Sequence, residues 1–309
     1  MRVATIDVGS NTVRLLVADV EGPERWRIVV QDQTVTRLGE GLAASGALGE
    51  APMVRTLTVV SDYAARGARL GAERVKIVAT SAVREAANGR AFVAAVERAT
   101  ARRVHVVSGQ DEARLMLLGV RHGLGRLAGP VVVFDIGGGS TEYILAERDE
   151  VRAAASLRLG VVALAERYPF AGPVDGERWQ ALLAEIRAQL ERELPDAIGR
   201  ARPAHLVGTA GTVTTLGALD LGLTRYDPQR VQGHRLGRAA IEALLARLGS
   251  LSVAERGALP CLEPGRADLI IPGTAIVIAT LDRLGVDALV VSDNGLREGI
   301  LVDLADTAP

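Results

Sequence analysis

The chain has 309 residues, of which 48 % are hydrophobic and 24 % are charged, a balance that excludes intrinsically disordered and collagen-like proteins. Its formal net charge of −1 excludes the strongly basic surface of a general nucleic-acid-binding protein, although a local basic groove is compatible with it. A chain of this length predicts two packed domains of ordinary size.

The first part of the chain alternates between strand and helix patterns. Two short apolar runs joined by Gly9-Ser10-Asn11 predict a hairpin that opens a sheet. The predicted elements are strands at Val3–Val8, Val13–Val20 and Trp26–Val35, a helix at Pro52–Leu70, a strand at Val75–Ala79, a helix at Gly89–Thr100, a strand at Val104–Val107 and a helix at Asp111–Gly123. This alternation predicts the α/β class.

The pattern restarts after Gly129-Pro130 with another pair of strands around a glycine turn. The predicted elements are strands at Val131–Ile136 and Glu142–Ala146, a helix at Trp179–Leu194, a strand at His205–Val207, helices at Val213–Leu221, Leu236–Leu248 and Ala267–Leu284, a strand at Ala288–Val291 and a helix that starts near Leu296.

The two halves share one order of residues. Ile6-Asp7-Val8-Gly9-Ser10-Asn11 and Phe134-Asp135-Ile136-Gly137-Gly138-Gly139-Ser140 each read as strand, Asp, glycine turn, hydroxyl and next strand. The recurrence predicts a duplicated α/β lobe, with both turns facing one anionic ligand across a cleft. The alternative is that each turn only closes a hairpin.

Three glycine-containing turns are candidates for phosphate binding, since small residues let backbone N–H groups approach an anion. They are Gly9–Asn11, Gly137–Thr141 and Gly208–Thr212, and the third lies between a predicted strand and helix, which places a helix N-terminus nearby. None matches the Walker pattern or the GxGxxG fingerprint. P-loop NTPases and Rossmann dehydrogenases are therefore disfavoured.

Carboxylates flank these turns. Asp7 and Asp135 end their strands and Glu142 follows the second turn, so these oxygens suit Mg²⁺ beside a phosphate. Glu142 is also compatible with a solvent-facing position on an edge strand. Asp111 and Glu112 open a helix, where the macrodipole alone favours acids, so a structural role is the simpler interpretation of the residues themselves.

Basic residues and the single cysteine narrow the chemistry further. Lys76 is the only lysine, so a phosphate site would use arginines, for which Arg14, Arg37 and Arg84 are candidates. An arginine at any one position is more often a solvated surface group. Cys261 has apolar neighbours, which predict a core thiol.

The chain shows neither a signal peptide nor an uncharged run of about 18 residues, so we expect a cytoplasmic protein that does not bind a membrane.

Several ordered motifs together resemble the exopolyphosphatase/guanosine pentaphosphate phosphohydrolase family in its short, two-domain form. The family belongs to the superfamily of sugar kinases, actin and heat-shock chaperone ATPases. The motifs are Asp7-Val8-Gly9-Ser10-Asn11 with Arg14, Arg37–Leu42, Ala79–Arg84, Ser108–Leu115, Asp135–Glu142, Gly208–Thr212, Arg266-Ala267-Asp268 and Ser292–Gly299.

The resemblance implies two actin-like (ribonuclease H-like) lobes with a cleft between them, residues 1–119 with 297–309 and residues 120–296. It also implies hydrolysis of a terminal phosphoanhydride bond, with Glu112 as the general base on water and Mg²⁺ held by Asp135 and Glu142. Asp7, at the end of the corresponding strand, is a further candidate ligand. The family usually has Glu where this chain has Asp111, so Asp111 is the weaker candidate base. The resemblance places phosphate contacts at Ser10, Asn11, Arg14, Arg84, Gly138, Gly139, Ser140 and Thr141. The glycine turns themselves add Gly137, Gly208, Thr209 and Gly211 as candidates.

The substrate that the resemblance favours is inorganic polyphosphate, with guanosine pentaphosphate as the alternative because both present the same terminal anhydride. Two other classes stay open: a non-catalytic sensor of guanosine tetra- or pentaphosphate, and a kinase of the same superfamily. Guanosine tetraphosphate as an inhibitor and a second copy of the chain in a homodimer are further partners to test. Nucleic acid is not expected as a partner.

Overall fold

The structure is a computed structural model that describes residues 1–22, 25–148 and 150–306. The chain divides into two compact units. Unit 1 contains Met1–His122 and Asn294–Pro309, and unit 2 contains Gly123–Asp293. The domain bounds predicted above stay a prediction, and the last three residues of the first domain, 307–309, lie outside the described residues.

The strands of the described residues are numbered β1 to β11 in chain order. They are β1 (Arg2–Val8), β2 (Thr12–Gly22), β3 (Arg25–Val35), β4 (Arg74–Ala79), β5 (Val104–Val106), β6 (Pro130–Ile136), β7 (Thr141–Glu147), β8 (Glu150–Leu157), β9 (His205–Thr209), β10 (Arg235–Gly237) and β11 (Ala288–Val291).

The helices are numbered in the same way. They are α1 (Leu42–Ser45), α2 (Glu50–Arg69), α3 (Ser81–Glu85), α4 (Gly89–Thr100), α5 (Gly109–Leu124), α6 (Val161–Arg167), α7 (Gly176–Glu193), α8 (Asp196–Gly199), α9 (Ala210–Asp220), α10 (Pro228–Val231), α11 (Arg238–Gly249), α12 (Val253–Gly257), α13 (Ile270–Leu284) and α14 (Leu296–Asp306).

Unit 1 is built on a sheet of strand order β3-β2-β1-β4-β5 in its described part. β1 pairs antiparallel with β2 and parallel with β4, and the connection from β3 to β4 runs through α2. Successive residues of a strand point to opposite faces. Ile6 and Ile77 therefore pack with residues of α2 and α4, whereas Val3 and Val78 pack on the other face with residues of α14. Both faces of this sheet are covered by helices.

Unit 2 repeats this plan with strand order β10-β11-β9-β6-β7-β8 in its described part. β6, β7 and β8 are antiparallel neighbours, and β9 pairs parallel with β6. α13 is buried along nearly its whole length, and Ile276 belongs to the same apolar cluster as Phe134 of β6 and Leu182 of α7. This aliphatic core fixes the end of β6, where Asp135 lies.

Most predicted elements are present, but the prediction omitted the short helices α1, α3, α6, α8, α10 and α12. Three other differences have a physical cause. The prediction omitted β8, because Arg152 and a run of alanines hide its alternation. The helix predicted from Leu236 begins at Arg238, because Leu236 lies in β10 opposite Leu289. The long helix begins at Ile270 and not at Ala267, after a 3₁₀ turn at Pro264–Arg266.

Two further expectations concern single features. Cys261 is half-buried and packs against the edge of the unit 2 core, whereas the sequence predicted a position inside the core. Burial raises the pKa of this thiol. No helix in the described ranges combines the length and the apolar character needed to cross a lipid bilayer.

Candidate functional site

The first glycine turn connects β1 to β2 and is fixed by backbone hydrogen bonds. Gly9 N donates to the Thr12 carbonyl at 3.1 Å, which closes the turn. The Asn11 carbonyl accepts from Thr36 N and Arg37 N, both at 2.9 Å, and the Ser10 carbonyl accepts from Gly39 N at 2.7 Å. The segment after β3 therefore fixes the backbone carbonyl groups of the turn.

The turn between β6 and β7 has the same construction in unit 2. Gly137 N donates to the Ser140 carbonyl at 2.9 Å, and the carbonyls of Gly137 and Gly138 accept from Val161 N at 3.1 Å and Val162 N at 3.0 Å. A Cβ at Gly9 or at Gly137 would lie 3.0 Å from the carbonyl oxygen that closes the respective turn. The repeated order of residues thus corresponds to a repeated backbone geometry.

Glu112 lies in the first turn of α5 and is only 5 % exposed. Its Oε2 accepts a hydrogen bond from Arg84 Nη1 at 2.8 Å, and the same nitrogen donates to the Val107 carbonyl at 3.0 Å. The fold therefore turns Glu112 inward and holds its carboxylate.

The neighbouring acid has a different environment. Asp111 is exposed, its Oδ2 accepts from Ser108 Oγ at 2.7 Å, and its own N–H donates to that hydroxyl at 3.1 Å. This reciprocal contact stabilises the start of α5, as side-chain caps do in general. The structural role that the sequence allowed for both acids fits Asp111.

Asp7 ends β1 and is 3 % exposed. It lies directly opposite Arg14 on β2, and Arg14 Nη1 is 3.6 Å from Asp7 Oδ2. Burial raises the pKa of Asp7, while the positive charges of Arg14 and Arg297 oppose that shift. Among the described residues, Asp7 Oδ1 is buried without a hydrogen-bond partner.

Arg297 and Glu298 of α14 carry further buried charge in unit 1. Arg297 Nε donates to Glu298 Oε1 at 2.6 Å, and Glu298 Oε2 accepts from Gly295 N at 2.9 Å. Their charges act on Asp7 with opposite signs, since Arg297 lowers its pKa and Glu298 raises it. Both residues belong to the Ser292–Gly299 motif, but neither was predicted to have a role at the site.

Asp135 and Glu142 lie directly opposite each other on β6 and β7, and Asp135 also pairs in register with Thr209 on β9. Glu142 is 2 % exposed, and its Oε1 accepts from Ser140 Oγ at 2.6 Å and from Ser156 Oγ at 2.7 Å. β7 lies between β6 and β8, so the edge-strand alternative for Glu142 is wrong. Ser156 belongs to β8, the strand that the prediction omitted.

Two other predicted phosphate contacts have clear positions in unit 2. The Thr141 side chain is fully buried and its hydroxyl donates to the Leu159 carbonyl at 2.5 Å, which ties β7 to the segment before α6. Thr209 and Gly211 lie at the start of α9, where a Cβ on Gly211 would be 2.1 Å from Arg266 Nη1. The absence of a side chain at Gly211 therefore admits the Arg266 guanidinium.

The remaining predicted contacts have defined neighbours as well. Ser10 Oγ is 3.0 Å from Ser81 Oγ in a buried pair, and Asn11 Nδ2 donates to Thr12 Oγ1 at 3.3 Å. Gly208 packs against the Phe134 ring, 2.9 Å from where its Cβ would be. The sequence motif contained Ser81, but its contact with Ser10 joins residues 71 positions apart and leaves no local signal.

Metal binding depends on the acidic side chains just described. Within residues 1–22, 25–148 and 150–306, no three His, Cys, Asp or Glu side chains converge into a group able to hold a metal ion. Mg²⁺ is usually bound through one or two carboxylates, phosphate oxygens and water. In unit 1 the buried Asp7 Oδ1 fits that mode of binding, because a buried oxygen without a hydrogen-bond partner needs a ligand. In unit 2 the cross-strand neighbours Asp135 and Glu142 fit it separately.

Known proteins match this chain over nearly its whole length. The model of the Ppx/GppA phosphatase family matches residues 16–308. The chain belongs to this family. The family resemblance and the α/β class with two actin-like units are thereby confirmed, as is the class of enzyme, a phosphatase.

Individual members of the family are also similar to this chain over nearly its whole length. Exopolyphosphatase 2 of Mycobacterium tuberculosis is 37 % identical over 98 % of both chains, and exopolyphosphatase 1 of Mycobacterium leprae is 30 % identical over 99 % of this chain and 90 % of that one. The solved Ppx/GppA family member of Aquifex aeolicus is 34 % identical with a TM-score of 0.83, covering 100 % of this chain and 99 % of that chain. The solved exopolyphosphatase of Cytophaga hutchinsonii is 25 % identical with a TM-score of 0.92 at the same coverage.

Proposed function

We propose that the protein is an exopolyphosphatase, which releases orthophosphate from the end of inorganic polyphosphate by attack of water. Its single strongest support is Glu112, a carboxylate that is 5 % exposed and held at 2.8 Å by Arg84 in a chain of a phosphatase family. Relatives named exopolyphosphatase at 37 % and 30 % identity support the choice of substrate.

The proposed reaction requires one proton transfer and one displacement. The Glu112 carboxylate takes a proton from water, the water oxygen bonds to the terminal phosphorus, and the anhydride P–O bond breaks so that the shortened chain leaves. Phosphoryl transfer needs little covalent assistance from the protein. Catalysis therefore depends on orientation of the water and on neutralisation of charge on the phosphate oxygens.

The phosphate contacts are proposed separately for each unit. In unit 1 they are the turn residues Ser10 and Asn11 with Arg14 of β2. In unit 2 they are the backbone N–H groups of Gly138 and Gly139, since Gly137 N already donates to the Ser140 carbonyl, and those at the start of α9 at Thr209. In both turns, backbone carbonyl groups accept hydrogen bonds from protein N–H groups. These bonds orient the peptide planes before a ligand binds. Arg84, a further predicted phosphate contact, donates to Glu112 in this structure.

We further propose Mg²⁺ as the cofactor. In unit 1 the candidate carboxylate is Asp7, and in unit 2 the candidates are Asp135 and Glu142; each set would bind the ion together with phosphate oxygens and water. When bound, Mg²⁺ neutralises negative charge on the transferred phosphoryl group. Ser140 and Ser156 orient Glu142 for this role through their hydroxyl hydrogen bonds.

Guanosine pentaphosphate is the second candidate substrate because it presents the same terminal anhydride, and Arg266 is the residue whose position bears on the choice. Its guanidinium lies against Gly211 at the start of α9. A guanidinium binds phosphate oxygens and also stacks on aromatic ring systems such as a purine. The same position thus suits either further phosphates or a base. A cytoplasmic location, inhibition by guanosine tetraphosphate and a homodimer stay predictions.

The test is orthophosphate release from tripolyphosphate, long-chain polyphosphate and guanosine pentaphosphate in parallel, with and without Mg²⁺ and with no acceptor added. We expect Mg²⁺-dependent release, with a higher kcat/KM for polyphosphate than for the nucleotide. Release from guanosine pentaphosphate alone would favour the second candidate. Phosphate transfer only after addition of an acceptor would indicate a kinase, and tight guanosine tetraphosphate binding without any release would indicate a sensor.

A further inference from the structure

Arg84 makes two contacts through one nitrogen. Nη1 donates to Glu112 Oε2 at 2.8 Å and to the Val107 carbonyl at 3.0 Å, so its two hydrogens match two acceptors. The Arg84 side chain is 23 % exposed and that of Glu112 is 7 % exposed. Charge-assisted hydrogen bonds are strong and directional when little solvent competes. The carboxylate is therefore tied to a definite point of the backbone.

That point of the backbone is itself well fixed. Val107 N donates to the Ala79 carbonyl at 3.1 Å, which continues the pairing of β5 with β4. The next residue, Ser108, caps α5 through its contacts with Asp111. Arg84 thus connects the Glu112 carboxylate to the junction from which its own helix starts. A free glutamate side chain would lose rotamer entropy on adopting one orientation, and the contact removes that cost before the substrate binds.

The short helix α3 carries this arginine and is held at both sides. Ser81, one turn before Arg84, lies 3.0 Å from the Ser10 hydroxyl of the first glycine turn. On its other side, the Val83 carbonyl approaches Gly89 so closely that a Cβ there would lie 2.0 Å away. α3 therefore links the proposed phosphate turn of unit 1 to Glu112 within the same unit.

We propose that Arg84 is a positioning residue for the base: it orients the Glu112 carboxylate toward the attacking water and does not contribute principally by gripping substrate phosphate. This inference rests on the proposed hydrolase function. It changes the role that the family resemblance implies for Arg84. Because Arg84 acts through Glu112, its removal should matter only while Glu112 can accept a proton.

The test is a double-mutant cycle on tripolyphosphate hydrolysis with Arg84→Ala, Glu112→Gln and the double variant. Arg84→Ala should lower kcat about 10²-fold and leave KM within about threefold of wild type. The double variant should hydrolyse as slowly as Glu112→Gln alone, within about twofold. A raised KM in Arg84→Ala, or a double variant slower than Glu112→Gln by the full Arg84→Ala factor, would show that Arg84 acts on the phosphates and would overturn the proposal.

Chemical rescue gives a second readout that a purely structural role would not produce. Millimolar guanidinium chloride should restore part of kcat in Arg84→Ala and none in the double variant. Arg84→Lys, which keeps a cation, should retain an intermediate kcat with KM unchanged, and it carries the test if Arg84→Ala does not fold. A kcat for Arg84→Lys equal to wild type with a raised KM would contradict the positioning role.

Arg2→Ala is the matched control. Arg2 also donates to one backbone carbonyl, that of Leu70 at 2.8 Å, and to one carboxylate, that of Asp19 at 2.7 Å. It lies at the end of β1 opposite to the glycine turn, so its loss should leave kcat unchanged. Absence of phosphate release by the wild-type protein would overturn the proposed function together with this inference, whereas release by wild type with additive variants would overturn the inference alone.

Discussion

The carbonyl oxygen of Leu115 occupies the position at which a side chain on Gly299 would begin. A Cβ at Gly299 would lie 1.7 Å from that oxygen, and a Cβ at Gly119 would lie 1.9 Å from the Gly295 carbonyl oxygen. Helices α5 and α14 therefore touch through their backbones. Because α5 begins near Glu112, this contact fixes the height of the proposed base above the unit 1 sheet.

The first prediction follows from that contact. Gly299→Ala should lower the free energy of unfolding by about 2–3 kcal/mol, because a methyl group would force two backbones apart. Urea unfolding followed by circular dichroism measures the change. Gly176→Ala, at the start of α7 with open space around the added methyl, is the control and should change stability by less than about 1 kcal/mol. Equal effects of the two variants would contradict the backbone contact.

Asp303 yields a prediction about pH. Burial acts to raise its pKa, but hydrogen bonds from Lys76 at 2.9 Å and Arg114 at 2.8 Å outweigh burial and lower the pKa. A carboxyl whose pKa is lower in the folded state stabilises the fold above its unfolded-state pKa, and the benefit is lost as pH falls through the folded-state pKa.

Asp303→Asn should therefore destabilise the protein by about 1–2 kcal/mol at pH 7, and the difference from wild type should shrink below about pH 4. Urea unfolding at a series of pH values is the measurement. Asp62→Asn, whose partner Arg69 is 3.9 Å away between two exposed side chains, is the control. A difference that does not depend on pH would contradict the ion-pair account.

The third prediction concerns the glycine turn of unit 2. A Cβ on Gly160 would lie 2.3 Å from the Gly138 carbonyl oxygen, so Gly160→Ala must displace the Gly137–Gly139 turn. A shift of about 1 Å in a positioning group costs about 10²-fold in rate, and kcat/KM for polyphosphate should fall by that order. Gly237→Ala, where the added methyl meets open space, should keep wild-type kcat/KM. Full activity in Gly160→Ala would show that this turn does not contact the substrate.

The fourth prediction concerns Ser156, which donates to Glu142 Oε1 at 2.7 Å. Its removal takes away one of the hydroxyl groups that donate to that oxygen, beside that of Ser140, and loosens the carboxylate. Residues that orient metal ligands typically contribute about 10-fold or more to metal affinity, so Ser156→Ala should need about 10-fold more Mg²⁺ for half-maximal phosphate release. Ser250→Ala, whose exposed hydroxyl bonds a helix carbonyl, should keep the wild-type Mg²⁺ dependence. An unchanged requirement in Ser156→Ala would contradict a metal-binding role for Glu142.

The residues of the candidate site differ in how far they could be predicted from the sequence. Asp7, Gly9 and Ser10 were predictable because strand alternation and turn chemistry are local properties. Ser156 was missed because the alanine-rich pattern of β8 carries little alternation. The contact between Arg84 and Glu112 joins residues 28 positions apart, which periodicity does not report.

Arg256 shows the limit of residue-type expectations most clearly. Arginines are mostly exposed, yet this one is fully buried and donates to the carbonyls of Leu248, Phe170 and Gly172. Burial lowers its pKa. The loop that precedes α7 and the end of α11 need donors for their carbonyls, and only the assembled unit 2 reveals which side chain provides them.

The most direct test of the account is orthophosphate release from long-chain polyphosphate by wild type and by Glu112→Gln in the presence of Mg²⁺, with the remaining chains sized on gels. We predict that wild type releases orthophosphate from the first minutes while chains shorten from their ends, and that Glu112→Gln is slower by about 10²-fold or more. Equal release by the two proteins, or accumulation of intermediate fragments before orthophosphate, would contradict terminal hydrolysis with Glu112 as the base.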